Sequence, residues 1–250
     1  MRKIMWQLYN RMERFLIPGL VEPQFAYRDV LRSHIKSNTR WLDLGCGYKL
    51  FSKYLPDSEQ SQNELVQLAE LVVGIDADSE VVKKNRKIPF KAVGDIEKLP
   101  FKDNSFNLVT ANMVVEHVSN PQVLLSEINR ILVVGGHFIF HTPNTLNYKI
   151  MLARPVPEFI KKSAIKYLQN RGADDVFPTY YRLNRSKVIK EAAEIAGFDL
   201  KELNFLQGPA DSVMLGPLVI FELLLMKGLN NNSMSGLRSN IIAVLEKVRV

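Results

Sequence analysis

Ile4, Met5, Leu8, Met12, Phe15 and Leu16 fall on one side of a helical wheel, with Lys3, Gln7, Asn10, Arg11 and Arg14 on the other. This recurrence predicts a basic amphipathic helix, and two placements suit it: packed on the domain, or lying in a membrane interface. A second helix is expected from Pro23, whose ring suits a first helical turn, to about residue 35. Beyond it, short apolar runs alternate with helical segments. Residues 40–44, 71–75, 89–93, 106–111 and 136–141 read as five strands. Helices are expected near 50–55, 64–70, 79–86 and 121–132, the last opened by an Asn120 cap and first-turn Pro121. The polar stretch 57–63 reads as a surface insertion. Strand-helix alternation of this kind predicts a doubly wound α/β fold, a mostly parallel sheet with helices on both faces and ligands at the carboxyl ends of the strands.

After the fifth strand the alternation breaks. Residues 144–181 are basic, contain Pro155, Pro157 and Pro178, and read as a lid or substrate segment. A helix at 186–196 ends at Gly197, a sixth strand covers 198–206, an apolar helix 213–228 and a polar loop 230–236. Residues 240–250 fit a strand or a helix, and Ile241, Ile242 and Val244 favour the strand.

Cys46 is the only cysteine. That excludes an internal disulfide and a cysteine-clustered zinc site, no other metal site is expected, and a reducing, cytoplasmic location fits. The first twenty residues carry charges throughout and do not read as a signal peptide. The longest apolar stretch, 213–226, is interrupted by Glu222 and falls short of the roughly 20 residues a spanning helix needs. The formal charge of +7 divides unevenly: +4 over 1–36, −2 over 37–143 and +5 over 144–250. The flanks, not the middle, are positive. They would suit an anionic membrane, a phosphorylated substrate or a nucleic acid, or serve only as a solvated surface.

Candidate chemistry concentrates where strands end. Trp41-Leu42-Asp43-Leu44-Gly45-Cys46-Gly47 carries the first strand into a glycine turn, where backbone approaches a ligand closely and a carboxylate can hold an ammonium group. A dinucleotide fingerprint would need glycine where Leu50 stands, and no phosphate-loop GK[ST] occurs. Val73-Gly74-Ile75-Asp76 ends the second strand with an acid placed for a ribose diol; its 33-residue spacing from Asp43 exceeds the usual ~20 because of the polar insertion. Gly94-Asp95-Ile96-Glu97-Lys98-Leu99-Pro100-Phe101, Asp103-Asn104-Ser105-Phe106-Asn107-Leu108-Val109, the NMVVEHV stretch from Asn112, Glu127-Ile128-Asn129-Arg130-Ile131-Leu132 and Gly135-Gly136 follow. This succession, from Arg40 to Asn144, resembles the class I S-adenosylmethionine-dependent methyltransferases, specifically the type 11 group that includes quinone-biosynthesis enzymes.

The resemblance implies a Rossmann-like seven-stranded sheet with the last strand antiparallel, and S-adenosylmethionine as cofactor. Asp43, Gly45 and Gly47 would line its methionine part, Asp76 would hold its ribose hydroxyls, Asp95 with Ile96 would meet its adenine, Asn112 would close the pocket near the sulfonium, and Cys46 and Ala77 would also be cofactor-binding. Three positions depart from the pattern: Lys49 replaces a third glycine, Asn107 an aspartate, and Val134 a proline. The whole chain then reads as one methyltransferase domain: a helical extension (1–36), a cofactor core (37–143), a substrate or lid segment (144–184) and a completing helix and strand (185–250).

Methyl transfer from a sulfonium needs alignment more than an elaborate catalytic constellation, although a hydroxyl acceptor benefits from a base. His117 is the first candidate base, although it suits a structural role at least as well; His141 is the second and Glu116 a third. Tyr180 and Tyr181 are candidate substrate contacts. Lys161, Lys162, Lys166, Arg171 and the apolar stretch 213–226 point to a small-molecule, lipid or lipid-linked acceptor and to peripheral contact with an anionic membrane surface. O-methylation is the favoured reaction. An RNA methyltransferase is a lower alternative, since no nucleic-acid-binding module is recognisable, and a noncatalytic cofactor-binding scaffold is another.

Overall fold

The computed structural model describes residues 2–51, 58–153 and 178–248. Strands β1 (Arg40–Leu44), β2 (Leu71–Asp76), β3 (Phe90–Val93), β4 (Phe106–Asn112), β5 (Leu132–Pro143), β6 (Phe198–Leu206) and β7 (Asn240–Lys247) form one sheet ordered β3-β2-β1-β4-β5-β7-β6. The first five run parallel, with Leu42 of β1 facing Val73 of β2 and Val109 of β4. The last strand is antiparallel. This is the Rossmann-like seven-stranded sheet with an antiparallel last strand that the resemblance implies.

Central strands of a sheet covered on both faces are apolar throughout. Accordingly Trp41, Leu42 and Leu44 of β1, Val109 and Ala111 of β4 and Phe138, Ile139 and Phe140 of β5 are buried, whereas Phe90 and Val93 on edge strand β3 are exposed. The helices are α1 (Arg2–Leu16), α2 (Pro23–His34), α3 (Ser58–Leu68), α4 (Ser79–Lys84), α5 (Pro121–Ile131), α6 (Tyr148–Ala153), α7 (Ser186–Ile195) and α8 (Leu218–Leu229). In α5 the Asn120 carboxamide accepts the Val123 amide, Pro121 occupies the first turn, and Leu124, Leu125, Ile128 and Ile131 are buried.

Two compact units emerge. One comprises Gln24–Pro143, Thr179–Asn204 and Ile241–Val250 and holds the sheet; the other comprises the described parts of Met1–Pro23, Asn144–Pro178 and Phe205–Asn240. In the second, Tyr9 and Ile17 pack with Ala210, Val213, Val219, Leu223 and Met226 in a core of their own.

Several local expectations are corrected. Residues 58–63 are not a loop: Ser58 opens α3, because glutamate and glutamine are good helix formers and Gln62 and Leu65 are buried. Leu50 and Phe51 are buried outside any helix, and the rest of the helix expected there lies outside the described residues. Strand β5 starts at Leu132, four residues early; a register shift against β4 and a positive φ at Gly135 absorb the extra length. Gly216, at φ +63°, and Pro217 divide the apolar stretch 213–228 into a 3-10 turn and α8. The polar loop is a 3-10 segment, Asn232–Leu237, while 240–247 is the favoured strand. Of residues 144–181, expected as a lid or substrate segment, 144–153 (with α6) and 178–181 are described; Lys161, Lys162, Lys166 and Arg171 lie outside the described residues.

Candidate functional site

At the carboxyl end of β1 the chain turns through Gly45 (φ +61°) and Gly47 (φ +49°), a region that favours glycine. A Cβ at Gly45 would stand 2.4 Å from Val114 Cγ2, so backbone alone fits there. Asn85, just past α4, ties this turn down: its side-chain amide donates to the carbonyls of Cys46 (3.2 Å) and Gly47 (2.8 Å). Its oxygen accepts the amides of Lys87 and Ile88.

Asp76 at the end of β2 accepts the Gly47 amide on Oδ2 and the Asp78 amide on Oδ1, both at 3.0 Å. A carboxylate offers about four acceptor positions, so capacity remains for a ligand hydroxyl. Asp43 is buried within β1. Trp41 Nε1 donates to Thr110 Oγ1 (2.7 Å), and that hydroxyl donates to Asp43 Oδ1 (2.6 Å). Burial pushes the Asp43 carboxyl up to about 7; the Thr110 bond offsets part of this and the nearby Asp76 charge adds to it. These donors to the two carboxylates are all neutral, a set that fits a ligand bringing its own ammonium and diol.

At the end of β4, Asn112 Nδ2 donates to the Leu50 carbonyl (2.7 Å) and to Gln24 Oε1 (2.9 Å). Its Oδ1 lies 2.8 Å from His141 Nδ1. Asp95, after β3, is exposed and accepts the Glu97 amide; Ala77 is exposed and Ile96 half-buried. The residues assigned to the cofactor thus line the ends of β1 to β4. Lys49, the side chain in place of a third glycine, is accommodated by turning outward, 3.6 Å from Glu59 of α3.

Residues 42–140 match the methyltransferase domain family Methyltransf_11. The chain carries a class I S-adenosylmethionine-dependent methyltransferase domain. A malonyl-[acyl-carrier protein] O-methyltransferase of Legionella pneumophila is 33% identical over 110 residues, covering 41% of this chain and 36% of that one. The chain spans between 30% and 51% of the length of that protein and four other curated relatives it matches. A demethylmenaquinone methyltransferase of Staphylococcus haemolyticus is 27% identical over 195 residues, 73% of this chain and 78% of that one. The fold matches that of an S-adenosylmethionine-dependent methyltransferase from Mesorhizobium loti, with TM-score 0.57 at 16% identity over 90% of this chain and 97% of that chain.

The 3-10 turn Val115–His117 follows β4. The Glu116 carbonyl accepts the amides of Tyr180 (2.8 Å) and Tyr181 (3.1 Å), which brings both tyrosines to the turn that carries His117. The Glu116 carboxyl is buried and accepts the Thr142 hydroxyl at 3.2 Å. Burial raises its pKa; hydrogen bonds and the neighbouring His117 moderate the rise. His117 is half-buried. His141 has partners on β4 and α2. It is 2% exposed, bound to Asn112 and Gln24 (3.2 Å), and lies against the Tyr27 ring at 5.8 Å between centroids. Its enclosure suits positioning of Asn112 rather than proton removal from an acceptor.

Thr110, Asn85, Gln24 and Tyr27 carry no functional mark that the sequence pattern singles out, with one exception. Asn85 leaves a signal, an asparagine immediately after a short helix, where its side chain replaces missing backbone bonds.

Proposed function

We propose that this chain transfers the methyl group of S-adenosylmethionine to an oxygen of a small-molecule, lipid or lipid-linked acceptor in the cytoplasm. The observation that carries the reading is the cluster at the end of β4, where His117, the buried Glu116 and the backbone-anchored Tyr180 and Tyr181 meet. The names of the Legionella and Staphylococcus relatives, an O-methyltransferase and an enzyme of demethylmenaquinone, support an oxygen and an amphiphilic acceptor respectively. The lone, buried Cys46 suits a reducing compartment.

When bound, S-adenosylmethionine supplies an activated methyl group whose leaving group needs no protonation. Asp43 holds its ammonium, Asp76 its ribose hydroxyls, and the Gly45–Gly47 turn lets the main chain approach. His117 takes the proton that the acceptor hydroxyl loses as the new bond forms, and the Glu116 carboxylate stabilises the resulting imidazolium. Tyr180 and Tyr181 wall the acceptor's ring or chain.

The test is transfer of a deuterated methyl group to a panel of phenols, quinols and polyprenyl-linked sugars, with the methylated atom located by mass spectrometry. His117→Ala should lower kcat by roughly 100-fold or more while cofactor affinity stays constant. Methylation at nitrogen or carbon alone, or an equal loss of turnover and cofactor affinity in the variant, refutes the oxygen-and-base reading.

A further inference from the structure

Helix α8 is apolar on every side, although among the described residues only one side is covered. Val219, Leu223, Met226 and Leu229 are buried, and the first three join Tyr9 and Ile17 in the core of their unit. The opposite side presents Leu218, Ile220, Phe221, Leu224 and Leu225 to solvent, Phe221 at 70% exposure. A surface helix of a soluble domain ordinarily puts polar residues there.

The one acid of α8 does not interrupt this face. Glu222 turns inward, where its carboxylate accepts the Tyr148 hydroxyl (2.7 Å), the Ser212 amide (2.8 Å) and the Ser212 hydroxyl (2.5 Å), with Lys149 Nζ at 3.7 Å. Burial alone would raise its pKa, but these partners outweigh burial and hold it below the usual carboxylate range. The charge is therefore consumed inside the unit, and Lys227 in the last turn is the charged side chain that α8 shows to solvent.

Helix α1 belongs to the same unit. Its Tyr9 is buried in the shared core with Met12 and Leu16 packed against it, while Trp6, Leu8 and Phe15, at 84% exposure, face outward together with exposed Arg11 and Arg14. By sequence this unit holds twelve basic and seven acidic residues, +5 of the chain's +7. More than half of the exposed large apolar side chains among the described residues fall in it.

We propose that α8, with the outward side of α1, docks on an anionic lipid bilayer, the apolar side chains entering the interface and the basic ones meeting lipid phosphates. Three observations select this occupant. Exposed apolar side chains on α8 and α1, in a unit that carries +5 by sequence, are complementary to acyl chains beneath a negative headgroup layer. Pairing with a second copy would bring two units of like charge face to face. The 12 residues of α8 rise only about 18 Å, far short of the ~30 Å hydrocarbon core, so the helix lies in the surface and does not cross it. The inference is independent of the transfer chemistry.

The experiment is sedimentation of the full chain with phosphatidylcholine vesicles, with and without phosphatidylglycerol, at low and high salt. Wild type should pellet with the anionic vesicles and be released by salt. Phe221→Ser with Leu225→Ser, both exposed and so compatible with an unchanged unfolding midpoint, should weaken partition at least about tenfold. Arg11→Gln with Arg14→Gln should weaken it by roughly 25-fold, about fivefold per charge. Wild type remaining in the supernatant, or serine variants that bind as well as wild type, overturns the proposal. So does a dimer in lipid-free buffer that the serine variants dissociate, which would assign the face to a second copy.

Discussion

Replacing Asp43 by asparagine should stabilise the cofactor-free protein while removing its cofactor affinity, and the effect should depend on pH in a calculable way. The carboxyl is buried, and its pKa rises from 3.8 in the unfolded chain to about 7 in the folded one. Because the folded state holds the proton more tightly, the stability associated with it is intact below about pH 4 and lost as pH rises towards 7. A rise of this size corresponds to about 4 kcal/mol, of which roughly 2 to 3 kcal/mol is lost between pH 5 and pH 8. Asparagine keeps the oxygen that accepts from Thr110 but carries no charge to desolvate. The unfolding midpoint of Asp43→Asn minus that of wild type should therefore grow by roughly 5 to 10 °C between pH 5 and pH 8, since each kcal/mol moves a chain of this length by about 2 to 4 °C. Differential scanning fluorimetry at several pH values measures it, and subtraction cancels the other titrating groups. In wild type, S-adenosylhomocysteine should recover the lost stability at pH 8, because its ammonium pairs with the ionised carboxylate; the asparagine variant should show no such recovery. A difference that stays flat with pH would mean that Asp43 is ionised throughout and that its burial costs little, and would refute the reasoning.

Gly45→Ala combines a positive φ, worth about 1 to 2 kcal/mol, with a Cβ 2.4 Å from Val114 Cγ2; equilibrium dialysis should show cofactor affinity falling at least tenfold. Asn85→Ala removes both side-chain bonds to the turn carbonyls, about 1 kcal/mol each, and should lower the denaturation midpoint and cofactor affinity together without touching an acceptor residue. Glu222→Ala leaves Tyr148 and Ser212 without their acceptor and should destabilise the chain by about 2 to 3 kcal/mol in urea unfolding. Cofactor affinity should survive that change.

The strand ends are legible in the sequence because each carries a short-range signature: apolar run, glycine, acid. Asp43, Asp76 and Asp95 can be placed from it, since the strand period and the turn together dictate where their side chains emerge. Helix α3 hides behind its polarity, and only the helix propensity of glutamate and glutamine betrays it. His141 differs in kind. Its neighbours Gln24 and Asn112 are more than a hundred and almost thirty positions away in sequence, and only sheet pairing and the helix laid over it decide that it is enclosed. The same holds for Thr110, which reaches Asp43 through the β1–β4 pairing and looks like any strand threonine in the sequence.

Cys46 lies inside the Gly45–Gly47 turn, and a Cβ on Gly74 of the adjoining strand would be only 2.8 Å from its sulfur. Burial, then the charges of Asp43 and Asp76, push the thiol up to about 12, so it is protonated and shielded from electrophiles while the turn is closed. The only thiol of the chain thereby becomes a built-in clock. A maleimide or disulfide reagent can modify it only during excursions that lift the turn off β2, and the labelling rate counts those excursions directly. Added cofactor should slow the clock, which would follow the breathing of this loop without any engineered probe.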